Sequence, residues 1–331
     1  MNATATATAT EQTPNRLAGF VPVQVRTLRI TKTEVADLFV QYEPQAEPVL
    51  YCRAGSHPDK QQFAELAEIG MENLYVRSED FSNLSNDVLT SLDSLLKQRD
   101  IQRTEKFAAL QIAVAVTVEQ TLRLVDCGKF HALAKKVGDD LVTLFGDGDV
   151  LPRELFRMAR HDFNTFTHVT NVASYCVLLA KKLGINNDDE LQKIATAAIL
   201  HDLGKRFIPT RLLTKTTPLT PEERETIESH PTRGYVELCE KGGLDFGQLM
   251  MVYQHHERMD GTGYPVGVLG NEIHPWARML AVVDVFDTMT AKRPESRPAA
   301  IEQVLDYQRQ HAGTQFDREV VECWISAMTK A

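Results

Sequence analysis

LQKIATAAILHDLGKRFIP, residues 191–209, carries apolar side chains at Leu191, Ile194, Ala195 and Ala198, the spacing of one face of an α-helix. His201 and Asp202 follow Ala198 by three and four positions, so both fall near that face. An ionised aspartate on a buried face is prohibitive unless a charge compensates it. Two arrangements meet that need: a cation shared with the adjacent imidazole, or an ion pair with Lys205 or an arginine. The stretch therefore predicts a helical core that ends in a charged site.

The same pattern recurs on both sides of it. Val169, Val172, Ala173, Cys176, Val177, Ala180 and Leu183 follow helical spacing, and Gly184 supplies a stop signal. His168 lies on that stripe, where an isolated histidine is either a ligand or a hydrogen-bonded core residue. In ARMLAVVDVFD, Ala277, Leu280 and Ala281 put Asp284 on a buried stripe, a second aspartate in need of a cation. Thr220-Pro221-Glu222-Glu223 reads as a capped helix start running toward His230, and Pro231 biases His230 away from helical geometry. His255 and His256 end the helix QLMMVYQHH. They lead into ERMDGTGYP, where Gly261 and Gly263 permit positive φ and Pro265 sets the exit. Adjacent histidines at a helix end either share one site or divide into a ligand and a surface cap.

Ahead of these helices the character changes. FVPVQV from Phe20, the alternating VLYCRAG from Val49, an amphipathic stretch from Gln61 to Ile69, and NLYVRS from Asn73 suggest a small α+β module. Strand signals nearly vanish from about Asn83, and helical stretches follow at Asp93–Leu124 and Phe130–Leu144. The expected fold class is α+β, a small N-terminal α/β module followed by an all-α helical bundle with a metal site. The expected boundaries are a disordered tail at 1–14, the α+β module at 15–92, a helical connector at 93–150 and the metal-bearing domain at 151–331.

Composition narrows the function. A net charge of −9 argues against a nucleic-acid polymer or an anionic membrane surface as partner. Five scattered cysteines without a CxxC pair suggest neither a disulfide framework nor a thiolate zinc site, in keeping with a reducing cytoplasm. Residues 1–14, MNATATATATEQTP, lack the cationic start and apolar run of a secretory signal, and no later run has membrane-spanning length.

At this point the residues resemble a known family, the HD-GYP branch of the HD phosphohydrolases. HDLGKRFIP (His201–Pro209) is similar to its HD motif with the following lysine, and HHERMDGTGYP (His255–Pro265) is similar to its second signature. KTTPLTPEERETIESHP and ARMLAVVDVFDTMTAKRP stand in the expected order, so the likeness runs from about residue 155 to 331. The resemblance implies that His168, His201, Asp202 and Asp284 hold one metal and that Asp202, His230, His255 and His256 hold a second, with Asp202 bridging. Two divalent ions, iron or manganese, suit such mixed imidazole and carboxylate ligands. It implies cyclic di-GMP as substrate, opened by a metal-bridging hydroxide to pGpG and in some members cut further to GMP, with Asp202 and Lys205 as the catalytic residues. Lys205 would hold a nonbridging phosphate oxygen or, failing that, pair with a neighbouring carboxylate.

Departures from the family pattern matter too. Asn164 stands where some members carry a glutamate that helps hold a third metal, which favours two ions. Where an Arg-Pro-Tyr-Arg segment is common, Arg293-Pro294 is followed by Glu295-Ser296 and Arg297, so an acidic residue joins the phosphate contacts expected of Arg293 and Arg297. Asp260 and Tyr264 complete the expected substrate residues, although shaping the loop is the favoured role for Tyr264 over contact with substrate or a partner. The resemblance also admits a GGDEF-type protein partner; the 93–150 helices are expected to pack within the chain, with a homodimer seam as the alternative, and a regulatory role for the front module is a further expectation. Rival readings are an HD-type hydrolase acting on another nucleotide and a noncatalytic cyclic di-GMP-binding adaptor.

Overall fold

The computed structural model describes residues 17, 19–28, 30, 35–43, 46–56, 58, 60–123, 127–145, 150, 152–158, 165–291 and 297–329. The chain divides into two compact units, Met1–Asp87 and Val88–Ala331.

The first unit is a four-stranded antiparallel sheet with two helices. In chain order its elements are β1 (Phe20–Gln24), α1 (Val25–Leu28), β2 (Leu38–Val40), β3 (Val49–Cys52), α2 (Lys60–Glu68) and β4 (Asn73–Arg77). The spatial order is β1-β4-β2-β3, with Val23 opposite Leu74 and Phe39 opposite Tyr75. Val23, Leu38, Val40, Leu74 and Val76 form its core, and Phe63 and Leu66 of α2 are buried with them. The strand the sequence pattern does not reveal is β2. Its three residues, LFV, are all buried, so they show no alternation to read.

The second unit, as described, is helical. Its elements are α3 (Phe81–Lys97, which leads out of the first unit), α4 (Arg103–Arg123), α5 (Cys127–Phe145), α6 (Pro152–Met158), α7 (Thr165–Lys182), α8 (Asp188–Leu200), α9 (Thr210–Leu213), α10 (Pro221–Glu228), α11 (His230–Lys241), α12 (Phe246–Gln254), α13 (Pro275–Thr290), α14 (Ile301–Gln310) and α15 (Arg318–Thr329). The helical stretch expected from Asp93 to Leu124 is divided between the end of α3 and α4. Side chains satisfy the broken ends: Lys106 Nζ donates to the Leu96 carbonyl at 2.8 Å, and the Gln102 N–H donates to Glu105 at 3.2 Å.

Helix α5 packs along α8, and α4 lies against both α5 and α7. At the other side of α7, Tyr175, Phe286 and Trp324 meet edge to face, with centroids 5.1–5.7 Å apart. Helix α7 is therefore covered on several sides, so all of Val172–Ala180 is buried rather than a single stripe. Among the described residues no helix is long and apolar enough to cross a membrane.

Two local expectations are corrected. His230 is the first residue of α11 and not an extended residue before a proline. Pro231 is tolerated there because first-turn N–H groups have no intrahelical partner to lose. Gly263 has no positive φ; it is glycine for lack of space, since a Cβ would lie 2.4 Å from Arg258 N and 2.6 Å from Glu257 Cα. Gly261 does take φ +74°, as the loop reading expects.

Candidate metal centre

Five elements deliver the polar side chains to one place. Helix α7 brings His168, the end of α8 brings His201 and Asp202, α11 opens with His230, α12 closes on His255 and His256, and α13 supplies Asp284. After Asp202 the chain turns through a short 3-10 helix, Leu203–Phe207, that packs on α11. That approach depends on Gly204: a Cβ there would meet the His230 carbonyl oxygen at 1.9 Å. The capping box expected at Thr220 is present, with Glu223 N–H donating to Thr220 Oγ1 at 3.3 Å and Thr220 N–H donating to Glu223 Oε2 at 2.9 Å. It starts α10, whose end hands the chain directly to His230.

Three histidines are held the same way. The Nδ1–H of His201 donates to Ala198 O at 2.6 Å, that of His230 to Ile227 O at 2.8 Å, and that of His255 to Val252 O at 2.8 Å. Each bond fixes the tautomer and leaves the Nε2 lone pair facing the site. These lone pairs converge on Asp202. His201 Nε2 is 3.4 Å from its Oδ2, while His230 Nε2 and His255 Nε2 are 3.4 and 3.9 Å from its Oδ1. His168 Nε2 is 3.2 Å from Asp284 Oδ1 and 3.9 Å from Asp202 Oδ2. His256 completes the group, with its ring centroid 4.1 Å from that of His255.

Two observations test whether this donor set fits metal ions. First, His201 Nε2 and Asp202 Oδ1 are buried and have no hydrogen-bond partner, a costly condition that a cation relieves. Second, His230 Nε2 and His255 Nε2 stand 3.2 Å apart although each ring spends its N–H on a carbonyl. Two lone pairs at that distance repel unless a positive charge lies between them. His168, His201 and Asp202 form one cluster of ligand atoms within 4.8 Å, and His230, His255 and His256 form another. The residues present fit divalent ions with nitrogen and oxygen preference.

The electrostatics agree. Burial opposes the charge on Asp202, but His201 and Lys205 outweigh it and hold the carboxyl well below the usual range. Asp284 is likewise depressed against burial, by its bond to His168 and by that imidazole's charge. Burial pulls His168 down, yet Asp284 and Asp287 carry it up to about 9. Burial, then the neighbouring His256, keeps His255 well below the ordinary imidazole value, and burial brings His256 to about 3. At neutral pH Asp202 and Asp284 are ionised and His255 and His256 neutral, the forms that bind metal, whereas His168 holds a proton that an arriving cation would displace from Nε2.

The remaining sequence candidates are placed differently. Lys205 Nζ lies 2.5 Å from Asp202 Oδ2, the ion pair that the sequence left open for it. Tyr264 lies against His256, with centroids 4.7 Å apart, and lines a cavity of about 230 Å³ together with Glu228, Ala281, Val285, Gln315 and Phe316. Asp260 Oδ1 accepts from Thr262 N–H at 3.0 Å and Thr262 Oγ1–H at 2.6 Å, so it folds its own loop. Arg297 is exposed; Arg293, Glu295, Ser296 and Asn164 lie outside the described residues.

Sequence reasoning passed over two residues here. Asp287 accepts the His168 Nδ1–H at 2.8 Å. It is three residues beyond Asp284, one helical turn, so i, i+3 spacing was the available signal. Glu257 is buried beneath the loop, where it accepts from Val266, Gly267 and Val268 N–H at 2.8–3.2 Å. Its position directly after His255-His256 marked it only as part of the motif.

The HD domain family profile matches residues 152–320, half of the chain, and that span contains every ligand described above. The chain belongs to the HD domain family. The chain is 36% identical over 177 residues to the cyclic di-GMP phosphodiesterase response regulator RpfG of Xanthomonas campestris, covering 52% of this chain and 46% of that protein. It is 32% identical over 197 residues to a cyclic di-GMP phosphodiesterase of Thermotoga maritima, covering 58% and 53%. It is also 34% identical over 156 residues to 3'3'-cGAMP-specific phosphodiesterase 3 of Vibrio cholerae, covering 47% and 33%. The chain thus spans about half the length, or less, of these curated relatives. Among solved structures, the HDG"Y"P protein Bd1817 of Bdellovibrio bacteriovorus is similar at a TM-score of 0.67 and 17% identity, covering 94% of this chain and all of that one. The HD-GYP resemblance and the helical bundle read from the sequence are borne out.

Proposed function

We propose that this HD domain hydrolyses a phosphodiester bond of a cyclic dinucleotide, with cyclic di-GMP as first substrate and pGpG, then GMP, as products. The observation that carries the reading is the convergence of three tautomer-locked Nε2 lone pairs on the buried Asp202 carboxylate. His168, His201, Asp202 and Asp284 would hold one divalent ion and Asp202, His230, His255 and His256 the other, with iron or manganese preferred. Bound there, the two ions supply Lewis acidity toward the phosphoryl oxygens and acidify water.

The chain's own groups do the rest. The carbonyls of Ala198, Ile227 and Val252 keep the imidazoles aimed, so no reorganisation is needed when charge develops on phosphate. Lys205 is one-third exposed and pairs with Asp202. Its ammonium would hold a nonbridging phosphate oxygen of the substrate. Tyr264 and Phe316 give the adjoining cavity aromatic walls suited to a nucleobase. Asp260, Arg293 and Arg297 are further substrate contacts in this proposal, the N-terminal unit is regulatory, and a GGDEF-type protein or a second copy of the chain is a partner.

A second reading has specific support: relatives named for 3'3'-cGAMP are as similar as those named for cyclic di-GMP. One experiment separates them. The protein, loaded with iron or manganese under low oxygen, is offered each dinucleotide, and products are resolved chromatographically beside metal analysis. Cleavage of cyclic di-GMP supports the first reading, cleavage of 3'3'-cGAMP alone the second. Tight binding of two metals and of nucleotide without cleavage of either makes the protein an adaptor.

A further inference from the structure

The hydrogen bonds behind His168 have a direction. The Asp287 carboxylate only accepts, so His168 Nδ1 must carry the proton of their 2.8 Å bond, which leaves Nε2 as the nitrogen that faces the metal site and would ligate an ion there. The other Asp287 oxygen accepts from Asn171 Nδ2 at 3.0 Å. With its amino group committed, Asn171 has its carbonyl left, which accepts from Gln111 Nε2 at 2.9 Å. Gln111 Nε2 also reaches Thr170 Oγ1 at 3.3 Å, an oxygen whose own proton goes to Thr167 O.

The chain of bonds ends at a cost. Gln111, Asn171 and Asp287 are all buried, and Gln111 Oε1 has no partner. Flipping the Gln111 amide would set its carbonyl against the Asn171 carbonyl; flipping both would set the Asn171 carbonyl against a carboxylate. The stranded oxygen is therefore retained because every other orientation breaks the series.

We infer that Gln111, Asn171 and Asp287 are positioning residues that lock the tautomer and aim of His168, which makes α4 a supporting element of the metal centre. The inference rests on the metal-site reading above. It adds that a helix bearing no ligand, some sixty residues earlier in the sequence, sets metal affinity.

The test is a double-mutant cycle on the full chain, with Mn2+ alone titrated against a fluorescent chelator and folding followed by circular dichroism. Asp287→Ala is expected to weaken Mn2+ binding about 10–100-fold, the usual effect of losing a ligand's supporting carboxylate. Gln111→Leu, close in volume, is expected to weaken it several-fold. The double variant should then bind no worse than Asp287→Ala alone, because both changes cut one series. In 15N-histidine spectra of the metal-free protein recorded above pH 9, where His168 is neutral, its Nδ1–H signature should give way to mixed tautomers in both single variants.

Equal Mn2+ affinity and an unchanged His168 tautomer in folded Gln111→Leu overturn the inference, as do losses that add in the double variant. Should Asp287→Ala not fold, Asn171→Ala takes its place in the cycle. Wild-type protein that takes up no Mn2+ overturns the metal reading and this inference together. Wild-type binding with unaffected variants overturns this inference alone.

Discussion

Gly204→Ala adds one methyl group where backbone already stands. The new Cβ would lie 1.9 Å from His230 O, 2.7 Å from Gly234 N and 2.8 Å from His230 C. Restoring an ordinary contact of about 3.5 Å at the oxygen requires the start of α11 to retreat by roughly 1.5 Å. His230 rides on that first residue, and its Nε2 is 3.2 Å from His255 Nε2 and 3.4 Å from Asp202 Oδ1. A retreat of this size takes His230 out of reach of a shared ion. Misplacement near 1 Å costs about 100-fold in a positioned reaction. Overpacking costs about 1–3 kcal/mol of stability, at about 2–4 °C per kcal/mol for a unit of this size. The expected result is a melting temperature lowered by several degrees, hydrolysis down at least 100-fold, and loss of the ion assigned to His230, His255 and His256 while the His168 side retains its own. Metal analysis by mass spectrometry, with melting and product assays on the same preparation, reads all three. Two metals per chain with wild-type melting would refute the reasoning.

Three other perturbations follow from the same geometry. Asp202→Ala removes the carboxylate proposed to bridge the two ions, so metal analysis should show both ions lost together; loss of one alone would show that the bridge is misassigned. Glu257→Gln removes the charge that receives three backbone N–H groups, at about 1.5–3 kcal/mol for a bond to a charged group. Metal content should hold while amides at 266–268 exchange faster with deuterium, and unchanged exchange would count against the clamp. Asp140 gives a pH effect: burial, offset in part by Lys136, raises its carboxyl to about 6. Between its unfolded value of 3.8 and about 6 the folded form binds the extra proton, so this contribution to stability falls as pH rises through that window. Asp140→Asn should therefore melt higher than wild type at pH 8, by an equivalent of about 1–3 kcal/mol, and should gain little at pH 4. Lys136 keeps its partner Asp93 at 2.6 Å in either case. Equal melting at pH 8 would dispose of the buried charge.

Much of the candidate metal centre was readable because its residues sit on periodic helices. His201, Asp202 and Asp284 declare themselves as polar residues on apolar stripes, an anomaly that local spacing exposes. The loop at His255–Pro265 was likewise legible from its glycines, although Gly263 serves close approach where the sequence suggested a left-handed turn. Strand β2 was hidden because both of its faces are covered, which erases alternation. The break between α3 and α4 was hidden because Lys106 and Glu105 satisfy the ends with side chains that also suit a helix interior.

By itself, the sequence determined the helical character of the second unit, the two buried aspartates that demand positive charge, and the signature shared with the HD domain family. Tertiary structure alone decided which nitrogen of each histidine faces the site. A tautomer is set by whatever carbonyl or carboxylate lies beside the other nitrogen, and for His168 that group is Asp287, 119 residues away. It also decided that Gly204 and Gly263 are glycines for want of space, since crowding is a property of two chain segments and no single segment records it. Local spacing reports what a residue must bury; only the packed helices report what it meets there.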